Sequence, residues 1–122
     1  AEIIVLDQFS RNLFRDEPRA FASDDVAVRL AEDAIALGLD VGLAPIRRAF
    51  LYMPFMHSER ITHQRTSVRL FTEIKETGNL RSAERHFDVI RRFGRFPHRN
   101  KILKRHSSVE EEVFLQQPGS NF

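Results

Sequence analysis

A chain of 122 residues with 42% apolar and 30% charged side chains has the balance of a soluble globular protein, and its length fits a single domain over 1–122. It has no cysteine, which excludes disulfides and thiolate metal sites, and no run of about 18 apolar residues that would cross a membrane. The net charge of +2 conceals a gradient: residues 1–44 balance to −5, residues 45–105 to +10 and residues 106–122 to −3. Internal pairing of acidic with basic helices accounts for this gradient more simply than a basic face awaiting an anionic partner. Eleven Phe against one Tyr and no Trp predict a Phe-rich core. The lack of cysteine fits a reducing cytoplasm. The start, Ala1-Glu2-Ile3-Ile4-Val5-Leu6, has no basic flank and reads as the middle of a helix rather than a signal peptide.

The convincing segments repeat with a helical period, and none alternates with period two. Residues 3–15 place Leu6, Phe9 and Leu13 on one stripe and Asp7, Gln8, Arg11 and Asn12 on the other side, with Asp7 and Arg11 spaced to pair. After a loop at Pro18, Ser23 caps a second helix whose face is Ala27, Leu30, Ala31, Ala34 and Ile35, and Gly38 ends it. Pro45 opens a third helix with the stripe Ile46, Phe50 and Met53. Pro54 removes a backbone donor inside that pattern and predicts a kink or break. Ser58 caps a fourth helix to about Thr77, with Ile61, Val68, Phe71 and Ile74 on its face. Ser82 opens a fifth, with His86, Ile90 and Phe93 on one stripe and Gly94 as its stop. Lys101–Arg105 reads as a short helix, and Ser107 with Glu110 as the capping box of a last one, ended by Pro118-Gly119. The expectation is an all-α fold of antiparallel helix hairpins, a tetratricopeptide-like superhelix of units of about 34 residues, although that repeat's consensus is absent.

Three polar clusters are candidates for a site. They are Asp7, Gln8, Arg11 and Asn12; then His57 and Glu59; then His86 with Arg95, His98, Arg99 and Asn100. Metal binding is disfavoured because no HExxH-type pair exists and His57 and Glu59 are two apart, on different faces of a helix. No cofactor fingerprint, phosphate-cradling loop or nucleophile elbow is present. A basic stripe of Arg91, Arg92, Arg99, Lys101, Lys104 and Arg105 lacks stacking aromatics, so nucleic acid is disfavoured as a partner. Anion binding fits better, because guanidiniums grip carboxylate or phosphate through paired donors and four arginines lie within residues 91–99. The competing account pairs them with Asp7, Glu59, Glu84 or Asp88 inside the fold. The leading expectation is a helical binding or scaffold module for an anionic group of a peptide or small molecule. The alternative is a hydrolase-type enzyme using His57 or His98 as acid/base, oriented by Glu59.

Three segments resemble the signatures of a bacterial domain-of-unknown-function family, number 924. They are Leu6-Asp7-Gln8-Phe9-Ser10-Arg11-Asn12, Tyr52-Met53-Pro54-Phe55-Met56-His57-Ser58-Glu59 and Arg92-Phe93-Gly94-Arg95-Phe96-Pro97-His98-Arg99-Asn100. The ending from Glu111 to Phe122 resembles the family's C-terminus. The resemblance implies an all-helical, tetratricopeptide-like fold and supplies no catalytic residues. Family members carry a further N-terminal helical region, so the chain reads as truncated there. A first helix rich in Ile3, Ile4, Leu6, Phe9 and Leu13 without that neighbour predicts a homodimer through this face.

Overall fold

The structure, a computed structural model, describes residues 24–74 and 78–120. The first predicted helix, with Asp7, Gln8, Arg11, Asn12 and the proposed dimer face, lies outside the described residues, as does the Ser23 cap. Among the described residues the chain forms five α-helices and one 3-10 turn, with no strand. They are α1 (Asp24–Ala36), α2 (Pro45–Met56), α3 (Ile61–Thr72), α4 (Asn79–Phe93) and α5 (Val109–Leu115), with the 3-10 turn at Pro97–Arg99. The fold is all-α. Among the described residues no helix is long and apolar enough to cross a membrane.

Helix α1 buries Ala27, Val28 and Ala31, so its small residues let α2 approach closely. Gly38, at φ +71°, stops it where the sequence predicts: the Leu39 N–H reaches Ala34 O at 3.0 Å and the Gly38 N–H reaches Ile35 O at 2.9 Å. Pro45 is the first residue of α2, with its missing N–H where the helix needs no donor. The predicted stripe of α2 is wrong. Ile46 is 65% exposed and Phe50 is 37% exposed, while Ala49, Leu51, Tyr52, Phe55 and Met56 are buried. The helix is apolar around most of its circumference, and the small Ala49 and the hydroxyl of Tyr52 decide which face turns in. That hydroxyl donates to Asp40 of the α1–α2 connection and accepts from Arg48 at 3.0 Å, which pins the loop to the helix. Pro54 does not break α2. The helix runs on to Met56, and the His57 N–H still reaches Met53 O at 3.1 Å.

The cap of α3 is Arg60, not Ser58, and the helix ends at Thr72 rather than near Thr77. Ser58 instead accepts from the Arg60 N–H at 3.2 Å and meets Nδ1 of His63 at 2.7 Å. Its most buried side chains are Gln64, Ser67, Leu70 and Phe71, so Ile61 and Val68 are peripheral. Helix α4 begins at Asn79, three residues before the predicted Ser82, because Gly78 at φ +69° turns the chain into it. Its predicted stripe holds: His86 and Ile90 are buried and Phe93 is half-buried. Consecutive helices α1 to α4 pack on one another. Their main core joins Val28, Ala31, Tyr52, Phe55, Phe71 and Leu70. Phe71 is fully buried and stacks edge-on against Tyr52 at 6.0 Å; burying such a ring contributes about 2–3 kcal/mol. A second cluster of Val89, Ile90 and Phe96, flanked by Ile61, Phe93 and Phe114, sits beneath the segment that follows α4.

Candidate functional site

Gly94 ends α4 at φ +72°, with its N–H on Ile90 O at 2.7 Å, and sends the chain back over the helix ends. Phe96 then drops inward and is 1% exposed. Pro97 starts the 3-10 turn, and the Arg99 N–H closes on Phe96 O at 3.0 Å. Residues 101–105 form a turn rather than the predicted helix. Lys104 takes φ +57°, and the Arg105 N–H reaches back to Asn100 O at 2.7 Å. The polar residues of this region fall into two groups.

One group is a chain of carboxylates and guanidiniums. Glu59 accepts from Arg105 Nη1 at 2.9 Å and Nη2 at 3.1 Å, and from the Phe96 N–H at 2.6 Å. Arg105 Nε donates to Asn100 Oδ1 at 2.9 Å. Asn100 Nδ2 donates to Ser107 Oγ at 3.0 Å and leans on Glu111. Glu111 takes a two-pronged grip from Arg95, Nε to Oε2 at 2.9 Å and Nη2 to Oε1 at 2.7 Å. The capping box of α5 is therefore Ser108 with Glu111, one residue later than Ser107 with Glu110: Ser108 Oγ accepts from the Glu111 N–H at 3.1 Å, and the Ser108 N–H donates to Glu111 at 2.9 Å. The Arg95 bonds hold the Glu111 carboxyl down at about 2. Burial pushes the Glu59 carboxyl up, but the Arg105 bonds, the Phe96 N–H and the charge of Arg99 outweigh it and hold it below the usual range. Arg95, half-buried, and Asn100, buried, are thus engaged inside the fold.

The other group is aromatic and cationic. His57 caps the C-terminus of α2, and its ring lies 6.2 Å from that of His86. His86 meets Phe96 edge-on at 5.5 Å, and the His98 ring lies 5.8 Å from that of Phe96. The Arg99 guanidinium sits 4.7 Å over the Phe96 ring and donates to His57 O at 2.7 Å, and the residue is only 5% exposed. His86 Nδ1 donates to Ser82 O at 2.6 Å, which leaves the lone pair of its neutral form on Nε2. Burial pushes the His86 imidazole down to about 4; the Ser82 carbonyl opposes the shift, and the neighbouring His57, His98 and Arg99 add to it. His86, His98 and Arg99, from α4 and the 3-10 turn, thus meet one phenyl ring, and His57 at the end of α2 lies beside His86.

Residues 1–119 match a family described as bacterial proteins of unknown function, DUF924. The chain belongs to this family. A solved structure of a protein of unknown function, ATU0120 from Agrobacterium tumefaciens, is 40% identical with a TM-score of 0.89 and covers 93% of this chain. The DUF924 chain spans 64% of the length of that relative. No curated protein matches it.

For this DUF924 member the structure brings the second and third predicted clusters together, since His57, Glu59, His86, Arg95, His98, Arg99 and Asn100 all lie around the 94–105 turn. The basic stripe is dispersed: Arg91 bonds Asp88, Arg92 lies 4.7 Å over the Phe93 ring, and Arg105 turns inward to Glu59. Sequence reasoning missed Arg105 and Glu111 as network members. Their only signal was one basic residue in a basic run and one Glu of three in a row. Among the described residues no three His, Cys, Asp or Glu side chains are grouped to hold a metal ion.

Proposed function

We propose that the protein is a helical binding or scaffold module that holds an anionic group of a peptide or small molecule at His57, His86, His98 and Arg99. The observation that carries this reading is the gathering of His86, His98 and Arg99 against Phe96, with His57 beside His86, by three separate segments. The nearby carboxylates do not compete for an incoming anion, because Glu59 and Glu111 are held by Arg105 and Arg95. The rival hydrolase reading loses its orienting group for the same reason: Glu59 bonds a guanidinium and a backbone N–H. The reading extends to a tetratricopeptide-like superhelix in the cytoplasm, paired as a homodimer through Ile3, Ile4, Leu6, Phe9 and Leu13. A clean monomer in sedimentation at micromolar concentration would remove the dimer.

The test is an NMR titration of the His86 ring with and without inorganic phosphate or succinate. A bound anion favours the imidazolium, so the His86 midpoint rises from about 4 and Arg99→Gln abolishes the rise. If neither anion moves it, the cluster is structural and the binding reading fails.

A further inference from the structure

A separate cavity of about 330 Å³ lies between α1 and the start of α3, lined by Asp25, Val28, Arg29, Glu32, Arg60 and His63. Its volume is at the small end of pockets that take small molecules. Two carboxylates come from α1, and the guanidiniums come from α1 and the cap position of α3. None of the ion pairs among the described residues joins two of these four charges. Val28, 3% exposed, contributes an apolar floor.

His63 brings an imidazole to the cavity. The Arg60 N–H donates to Ser58 Oγ at 3.2 Å, and the same hydroxyl meets His63 Nδ1 at 2.7 Å. When that hydroxyl donates to Nδ1, the proton of the neutral ring sits on Nε2. The ring is also held edge-on against Phe55 at 6.0 Å. Burial lowers the His63 pKa and Arg60 adds to the shift, while Glu32 and Asp25 oppose it. The first turn of α3 carries no acidic residue and its cap makes no side-chain bond, which leaves the positive end of the helix dipole beside Arg60 and His63. The cavity joins Arg60 and His63 at the start of α3 to Asp25, Arg29 and Glu32 on α1.

We propose that this cavity binds a small zwitterion of the amino-acid type, its carboxylate toward Arg60 and His63 Nε2 and its ammonium toward Asp25 and Glu32. The site is independent of the anion site around Phe96. A purely anionic ligand would face Asp25 and Glu32 without compensation, and a purely cationic one would face Arg29 and Arg60.

The experiment follows the His63 ring resonances of the whole chain while glycine, β-alanine and 4-aminobutanoate are added, with acetate and methylammonium as single-charge controls. One or more of the zwitterions shifts the ring saturably with a roughly millimolar dissociation constant, and the controls do not. Glu32→Gln and Arg60→Gln each weaken that binding about tenfold. His98→Ala leaves it unchanged, which separates this site from the one proposed above. The proposal is overturned if no zwitterion moves the ring, if acetate moves it as strongly, or if the Glu32→Gln protein, shown folded by its amide spectrum, binds as tightly as the native chain.

Discussion

Glu59 and Arg105 meet through two hydrogen bonds of 2.9 and 3.1 Å although 46 positions separate them in the chain. The pair ties the α2–α3 connection to the segment after α4, and Glu59 also satisfies the Phe96 N–H. Both side chains are about three-quarters buried, so removing the charge leaves a guanidinium short of its partner in a partly dry site. Glu59→Gln is expected to destabilise the fold by about 2 kcal/mol. Glu84→Gln, on an exposed part of α4, is expected to stay within about 0.5 kcal/mol. Urea denaturation of the two variants distinguishes them; equal stabilities would remove the Glu59 bridge as a structural tie.

Acid should weaken the protein in two windows. His86 titrates at about 4 in the fold against 6.5 when unfolded, so the unfolded chain takes up protons first as pH falls. Stability present above pH 6.5 is therefore lost on the way down to about 4. Burial lowers His63 as well, so it adds to the same window. Glu111 sits at about 2 against 4.5 unfolded, and its contribution is lost as pH falls through that lower range, with Glu59 shifted in the same direction. His86→Asn should flatten the upper window only, leaving a residual slope from His63. Glu111→Gln should flatten the lower one. Denaturation midpoints at pH 7, 5 and 3 read both effects.

Gly94→Ala isolates a backbone cost. Among the described residues a Cβ at this position meets nothing within 4 Å, so sterics with these neighbours do not enter. The φ of +72° does enter, because an L side chain in the left-handed region costs about 1–2 kcal/mol. A loss of about 1 kcal/mol is expected, together with weaker anion binding if the turn at 94–105 shifts. Calorimetry measures the first effect and the His86 titration the second.

The punctuation by glycine and proline was legible, whereas the caps at Ser58 and Ser82 and the partner choices were not. Gly38, Pro45 and Gly94 act through their own backbone chemistry, so each boundary follows from one residue. The face of α2 did not, because Ile46, Phe50 and Met53 are as apolar as Ala49, Tyr52 and Phe55, and the small Ala49 and the bond of Tyr52 to Asp40 mark the side that turns in. Ser107 with Glu110 and Ser108 with Glu111 both satisfy the capping-box spacing. Arg95, sixteen positions before Glu111, selects the second. The same holds for the site. His57, His86, His98 and Arg99 were visible by residue type, whereas the commitment of Glu59 to Arg105 and of Arg95 to Glu111 is a property of the packed chain.

Gln64 offers a sharper test of how the turn after α2 is held. Its side chain is fully buried, and its amide nitrogen donates to Met56 O at 2.7 Å and Ser58 O at 2.6 Å, so it satisfies carbonyls that the end of α2 leaves over. Among the described residues its Oε1 has no hydrogen-bond partner, nor has the nearby Ser67 Oγ. Gln64→Leu therefore removes one unsatisfied oxygen while stripping two carbonyls of their donor, and a net loss of about 2 kcal/mol is expected. Gln64→Glu is of similar size but places a carboxylate oxygen against those carbonyls. Its carboxyl should be pushed up in the fold, so the variant's deficit is small near pH 4 and grows as pH rises through the raised value. Denaturation of this variant and the native chain at pH 5 and pH 7 measures the difference. A deficit that stays constant between the two would show that the Gln64 amide does not hold the end of α2.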